Sequence, residues 1–169
     1  MEDVFDTRSL TMSILAGPNL ANFSGVVHGG ELMKLLDQVA YTCATRYCGH
    51  GVVTLSVDNL IFKHPIPIGS LIIFLASVNY VGKTSCEVGI KVISEDIKNR
   101  FVTHCNTCYF TMVAIDTETG EKKSIPPFTP KTPAEIRRYE AALQRKGARR
   151  ENVRNFQTIQ NNATPQELR

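Results

Sequence analysis

Between Gly30 and about Tyr47, the apolar residues Leu32, Leu35, Leu36, Val39, Ala40 and Cys43 recur at three- and four-residue intervals. That spacing gathers them on one face of an α-helix, and Cys48 and Gly49 supply its stop. At ~100° per residue, Met33, Ala40 and Ala44 project close to Asp37, so a carboxylate borders the buried stripe and is expected to be partly buried itself. After Gly51 the texture changes to β-branched and aromatic runs over 52–63, 70–81, 84–96 and 101–116, which predict four long strands. Residues 1–14 read as an opening strand or arm that Ala16, Gly17, Pro18 and Asn19 break. The connectors HPIPIG, GK, IKNR and ETGEKK are short, so sequential antiparallel pairing in a meander is the economical topology. One long helix with such a sheet predicts an α+β fold.

Pro126, Pro127, Pro130 and Pro133 end the strand pattern. A polar, partly amphipathic helix follows over 133–150, with Thr132 as its cap and Pro133 as its first residue. The polar stretch 152–169 carries no periodicity and is expected to be mobile unless a partner subunit orders it. The chain therefore divides into a folded body, 1–130, and a basic helix and tail, 131–169.

Composition narrows the function. A chain of 169 residues with 43% hydrophobic and 21% charged residues has the material for one domain with a core. No apolar run approaches the ~18–20 residues of a membrane span, and the opening segment is acidic where a secretory signal would be basic and then apolar. A cytoplasmic protein is expected. Five cysteines, an odd number, fit reduced thiols. Of the 19 basic and 16 acidic residues, nine and four fall in 131–169. The body is thus slightly acidic, which argues against a nucleic-acid surface.

The Cys105-x-x-Cys108 spacing suits zinc or a redox pair on a turn, but here it falls inside a strand. Residues three apart then face opposite ways unless a bulge intervenes, and no second Cys/His pair completes a metal site. These cysteines are expected to pack, and no metal is expected. His50, His64 and His104 are scattered and read as structural. The run Gly82-Lys83-Thr84-Ser85 imitates the end of a phosphate-binding loop without its upstream glycine and opens a strand rather than a helix. The remaining constellation is Asn22-Phe-Ser-Gly-Val-Val-His28-Gly29-Gly30, leading into the helix that carries Asp37. Glycines at a helix start let another molecule approach free N–H groups at the positive end of the dipole, the outline of an oxyanion site; a simple tight loop with a glycine cap explains the same spacing.

In combination, the Asn-x-x-Gly-x-x-His-Gly-Gly loop, the helix Asp, the Ser-Val-Asp-x-x-x-Phe strand and the Gly-Lys-Thr-Ser turn resemble the hotdog-fold acyl-CoA thioesterases of the YciA and brain acyl-CoA hydrolase type, from about Asn22 to Val113. The resemblance implies a long central helix wrapped by a curved antiparallel sheet and followed here by a C-terminal helical tail. It also implies protomers joined edge to edge into at least a dimer, often a trimer of dimers, with active sites across the interface. By position, Asn22 of one subunit and Asp37 of the other match the family's catalytic pair. The Gly29 and Gly30 backbone matches its carbonyl-polarising site, and Lys83, Thr84 and Ser85 match its CoA-contacting turn. His28, Val57 and Asp58 are further candidates for contact with CoA. The expected reaction is hydrolysis of acyl-CoA to a free acid and CoA without a cofactor. Asp37 would act as general base or nucleophile, Asn22 would position water and the Gly30 N–H would polarise the carbonyl. Two other readings use the same pocket: a hotdog hydratase or dehydratase acting on enoyl thioesters, with His28 as its imidazole, and a noncatalytic acyl-CoA-binding protein.

Overall fold

The computed structural model describes residues 6–162. Five strands, β1 (Ser9–Leu15), β2 (Gly51–Phe62), β3 (Leu71–Val81), β4 (Ser85–Asp96) and β5 (Phe101–Ile115), form one antiparallel sheet in the order β1-β3-β4-β5-β2. The helix α1 (Gly29–Cys48) contacts all five strands. Its buried side is Leu32, Leu36, Val39, Ala40, Cys43, Ala44 and Cys48, with Leu35 half-buried against the same cluster. The sheet answers with alternate residues: Ile72, Phe74, Ala76 and Val78 of β3, Val88, Ile90 and Val92 of β4, and Cys108, Phe110, Met112 and Ala114 of β5. Burying each large side chain contributes ~1.5–3 kcal/mol, which makes this helix–sheet layer the main source of stability.

The pairing corrects the expected meander. Only β3, β4 and β5 pair in sequence, whereas β2 crosses to the far side of β5 and β1 flanks β3. The connector after β2 is therefore a crossover and not a hairpin. Its Ile66 is buried and its carbonyl accepts the Val27 N–H, which fastens the crossover to the loop before α1. The sheet is bent by bulges, because Leu55, Asn79 and Cys105 are extra residues in their strands and the β2 register slips again between Asp58 and Ile61.

Helix α1 starts on an unusual cap: the His28 Nδ1 accepts the Gly30 N–H at 2.9 Å. It ends on Gly49 in the left-handed region at φ 70, whose N–H donates to the Thr45 carbonyl.

The chain forms two compact units, Met1–Thr129 and Pro130–Arg169. In the second, α2 (Pro133–Asn162) begins with a reciprocal capping box: the Glu135 N–H donates to Thr132 Oγ1, and Glu135 Oε2 accepts the Thr132 N–H. The helix runs well past its expected end and replaces the featureless stretch expected from 152 onward. Once 133–150 nucleate, each added residue gains a hydrogen bond, and no proline follows before Pro165. Residues 163–169 of the expected tail lie outside the described residues.

Candidate active site

Strand β2 is an edge of the sheet, and α1 lies against it so that Asp37 and Thr54 meet. The Thr54 Oγ1 donates to Asp37 Oδ1 at 2.6 Å. That is the length of a charge-assisted bond, and it fixes one carboxylate oxygen while leaving the other open. Asp37 is exposed, not partly buried as the sequence implied, because it stands beside an edge strand of the sheet. Met33 and Tyr41 stand exposed one helical turn to either side of it, and Val53 and Leu55 are exposed on the same edge strand. An edge strand that exposes large apolar side chains has the character of an interaction surface.

Thr54 was not picked out from the sequence. Its signal was the alternation of Thr54, Ser56 and Asp58 within a strand otherwise rich in Val, Leu and Ile, but pairing with Asp37 depends on tertiary packing.

The turn Lys83–Ser85 belongs to this end of the sheet. Ser85 and Val53 pair with Val113 from opposite sides of β5, which puts the turn two strand spacings, about 10 Å, from the head of β2. Its backbone is tied down: Gly82 N–H to the Ser85 carbonyl, Ala114 N–H to that of Thr84, and Ile125 N–H to that of Lys83. Lys83 is exposed, and Thr84 and Ser85 are half-buried.

The other candidates gather elsewhere. The Asn22 side chain folds back into its own loop, where Oδ1 accepts the N–H groups of Ser24 at 2.9 Å and Val26 at 3.2 Å. Only its Nδ2 is then left to donate outward, and the rigid loop holds Phe23 fully exposed beside it. His28, Gly29 and Gly30 follow at the start of α1, and Gly30 lies about 10 Å along the helix from Asp37. The Gly30 N–H, expected to be free for a carbonyl, is held by His28 in this structure, since a helix start satisfies its N–H groups with whatever acceptor lies nearest. That bond requires a neutral Nδ1 and places the ring proton on Nε2. It also leaves His28 poorly placed as the mobile imidazole a hydratase would need. Val57, packed against the core, and Asp58, half-buried, lie midway along β2 between the two groups.

The cysteine pair behaves as packing. A bulge does bring both Cys105 and Cys108 to buried positions, contrary to the opposite facing expected of a regular strand, because the extra residue resets the alternation. Burial raises both thiols, that of Cys108 to about 12, so neither is a ready thiolate. Among the described residues, no three His, Cys, Asp or Glu side chains are grouped to hold a metal. His104 is anchored structurally, with Nε2 2.7 Å from Thr107 Oγ1 and 3.0 Å from the Asn106 carbonyl.

Among the clefts on this unit, one of about 630 Å³ lies between the β4–β5 hairpin and the crossover, lined by Pro67, Ser70, Ser94, Asp96 and Phe101, and contains none of the predicted residues. Another, of about 310 Å³, adjoins Gly29 at the start of α1.

A family model described as the thioesterase superfamily matches residues 24–100. Protein VdlD of Helicobacter pylori (strain ATCC 700392 / 26695) is 62% identical over 147 residues, 87% of this chain and 83% of its own. The structure of an acyl-CoA hydrolase from Staphylococcus aureus, solved with butyryl-CoA, CoA and CoA disulfide, is 30% identical with a TM-score of 0.81, covering 92% of this chain and 95% of that one. The chain belongs to the thioesterase superfamily. It is a thioester hydrolase with the hotdog fold, the helix lying against one face of the antiparallel sheet. Other structures of the Staphylococcus hydrolase carry an alanine in place of an asparagine, an aspartate or a threonine. In chain order these three are spaced as Asn22, Asp37 and Thr54 are here. An apo-hexameric acyl-CoA thioesterase is likewise similar, at 30% identity and a TM-score of 0.82, over 86% of this chain and 92% of that one. Among the described residues, no helix is long and apolar enough to cross a membrane.

Proposed function

We propose that the protein hydrolyses acyl-CoA thioesters to the free acid and CoA, with no metal or other cofactor, and that each active site is shared between two protomers of a homodimer. The observation that carries this is the Asp37–Thr54 pair, 2.6 Å apart on an uncovered edge, within an Asn22, Asp37, Thr54 set that repeats the replaced residues of the Staphylococcus hydrolase.

The open β2 edge supports the dimer. It presents a long row of backbone groups with Val53, Leu55, Ile61 and Phe62 exposed, and unprotected edges of that kind pair with another strand. Antiparallel pairing of two β2 strands about Asp58 brings the Phe62 end of one protomer opposite the Thr54 end of its partner. Gly29 lies against Phe62, so the helix start and the Asn22 loop approach the partner's carboxylate. The body of the chain, 1–130, carries the whole reaction, and 131–169 acts as an added basic helix. The apo-hexameric relative supports a trimer of dimers. The five buried, unpaired cysteines suit a reducing, cytoplasmic setting.

In this arrangement the Thr54 hydroxyl holds the Asp37 carboxylate oriented. The free carboxylate oxygen takes a proton from water as the water oxygen attacks the thioester carbon, or attacks that carbon itself to give an anhydride that water then opens. The Asn22 Nδ2 of the other protomer holds the water. The carbonyl oxygen collects its developing charge at the helix start, reaching the Gly30 N–H by displacing or sharing the His28 acceptor. The C–S bond then breaks and the CoA thiolate recovers the proton. Lys83, Thr84 and Ser85 offer one cation and two hydroxyls to the CoA phosphates, and Val57, Asp58, His28 and Gly29 border the path between.

The test is steady-state CoA release from acetyl- to palmitoyl-CoA, with Asp37→Ala alongside and the protein's own thiols subtracted. Release that vanishes in the variant is expected. Absence of release by folded wild type from every acyl-CoA overturns the reading.

A further inference from the structure

The sheet has a second open edge, β1, and it is built more regularly than the β2 edge. Its seven residues pair with β3 without a bulge, from Ser9 opposite Ser77 to Leu15 opposite Leu71. The same register continues one residue further at each end, where the Val78 N–H donates to the Arg8 carbonyl and the Ala16 N–H to that of Ser70. Bonded residues alternate along an antiparallel pair, so Leu10, Met12 and Ile14 direct their backbone groups at β3, and Ser9, Thr11, Ser13 and Leu15 direct theirs outward. The side chains divide the same way. Leu10, Met12 and Ile14 pack on the core, whereas Ser9, Thr11, Ser13 and Leu15 are exposed. Among the described residues, nothing bonds to the outward N–H and carbonyl groups of Thr11, Ser13 and Leu15. Open edges are ordinarily blunted by a charged side chain, a proline or a bulge, and SLTMSIL has none of these.

We propose that β1 is a second self-association surface, on which another copy of the chain adds its own β1 antiparallel, centred on Thr11. The occupant follows from the strand being complementary to itself. Ser9 falls opposite the partner's Ser13, Thr11 opposite the partner's Thr11, and Leu10 opposite the partner's Met12. Hydroxyls therefore meet hydroxyls on the exposed face, and apolar side chains meet on the helix side. The outward backbone groups of Ser9, Thr11 and Ser13 close bonded pairs with those of the partner, whereas a slip of one residue would set outward groups against groups already bonded to β3. The inference goes beyond the shared-site reading and needs no hydrolase activity. Each β2-paired dimer presents two β1 edges, so β1 pairing joins such dimers to one another.

The experiment is mass in solution, by sedimentation velocity over a range of concentrations, for wild type, Thr11→Pro and Thr11→Lys, with the fold checked by circular dichroism. Thr11→Pro removes an outward donor and leaves the β1–β3 bonds in place, where an edge strand tolerates proline. Thr11→Lys sets like charges face to face on the pairing axis. Wild type is expected to sediment above a dimer, and both variants should fall in mass by about twofold or more, to the β2-paired dimer. If Thr11→Pro disturbs the fold, Thr11→Lys decides alone, since that side chain is exposed. A Thr11→Cys chain treated with a short bis-maleimide should also yield covalent dimers, and a Thr119→Cys chain, altered in the exposed turn after β5, should not. Masses equal to wild type in the folded variants, or cross-linking as ready in the second chain as in the first, overturn the β1 surface and leave the hydrolase reading standing. A fall to the monomer keeps the β1 surface and overturns the β2 pairing. Absence of CoA release by folded wild type overturns the hydrolase reading alone, because mass is read without substrate.

Discussion

A carboxylate on a protein surface is an ordinary thing until something fixes its geometry, and here that something is one hydroxyl. With Thr54 donating at 2.6 Å, the free oxygen of Asp37 keeps a defined direction. Asp37→Ala should therefore lower kcat by about 10²–10⁴-fold, the span of a lost general base, in a dimer that remains intact by sedimentation. Thr54→Val should cost less, about tenfold or more, and Thr54→Ser should return most of it, because the hydroxyl and not the methyl is used. Equal rates for the Val and Ser variants would show the bond to be idle. A different readout suits His28, whose ring caps α1: His28→Ala should lose about 1 kcal/mol in urea unfolding, and His28→Ser should recover most of that loss. The contiguous motif was legible in the sequence because Asn22, His28, Gly29 and Gly30 lie on one short loop, and Asp37 follows within two helical turns. Thr54 was not, since its partner is chosen by how β2 packs on α1. The engagement of the Gly30 N–H was hidden for a related reason, because cap geometry depends on a side-chain rotamer that spacing does not set.

Elements were legible where one period dominated. The apolar stripe of α1 and the strand runs appear almost where the pattern puts them, yet the order of the strands does not follow from short connectors. HPIPIG is short enough for a hairpin, but burial of Ile66 and its bond to Val27 carry β3 across the sheet instead. Bulges were equally invisible, and one of them creates a tight spot. Asn79, the extra residue of β3, is buried, and its Nδ2 donates to Glu87 Oε1 at 3.1 Å while passing over Gly89. A Cβ at Gly89 would lie 2.4 Å from that nitrogen and 3.3 Å from Tyr109 Cδ1. Gly89→Ala should thus destabilise by about 1–3 kcal/mol. Asn79→Ala loses a buried hydrogen bond by itself, but it also vacates the contested space. The double variant should therefore cost clearly less than the sum of the two in denaturant titrations, and strict additivity would disprove the clash. The turn after β5 behaves differently in acid. The Lys123 ammonium, 3.0 Å from Asp116, and the N–H groups of Thr119 and Glu118 hold the Asp116 carboxyl down from its ordinary 3.8 to about 2. The turn's stabilisation is complete above about pH 4 and lost as pH falls through about 2, so amide exchange at Glu118 and Thr119 should accelerate over that interval. Asp116→Asn should remove the pH dependence.

At the scale of the whole molecule, the residues of the proposed site stand apart within one protomer. Asp37, Thr54 and the Lys83–Ser85 turn occupy one end, while Asn22, His28 and Gly30 occupy the other. The β2 edge between them presents Val53, Leu55, Ile61 and Phe62 to the outside. The proposed isologous two-fold pairing of that edge would create two equivalent composite sites, each with its acid from one chain and its asparagine from the other. Co-expressing Asn22→Ala and Asp37→Ala chains separates this arrangement from a site within one chain. Each homodimer is defective at both sites, but every heterodimer contains one site built from the intact Asn22 of one chain and the intact Asp37 of the other. Random pairing makes half the dimers mixed with half their sites whole, so activity should return to about a quarter of wild type. Hybrids no more active than their parents, with mixed dimers verified by mass, would show that each chain contains its own complete site and that the exposed β2 edge serves some other contact.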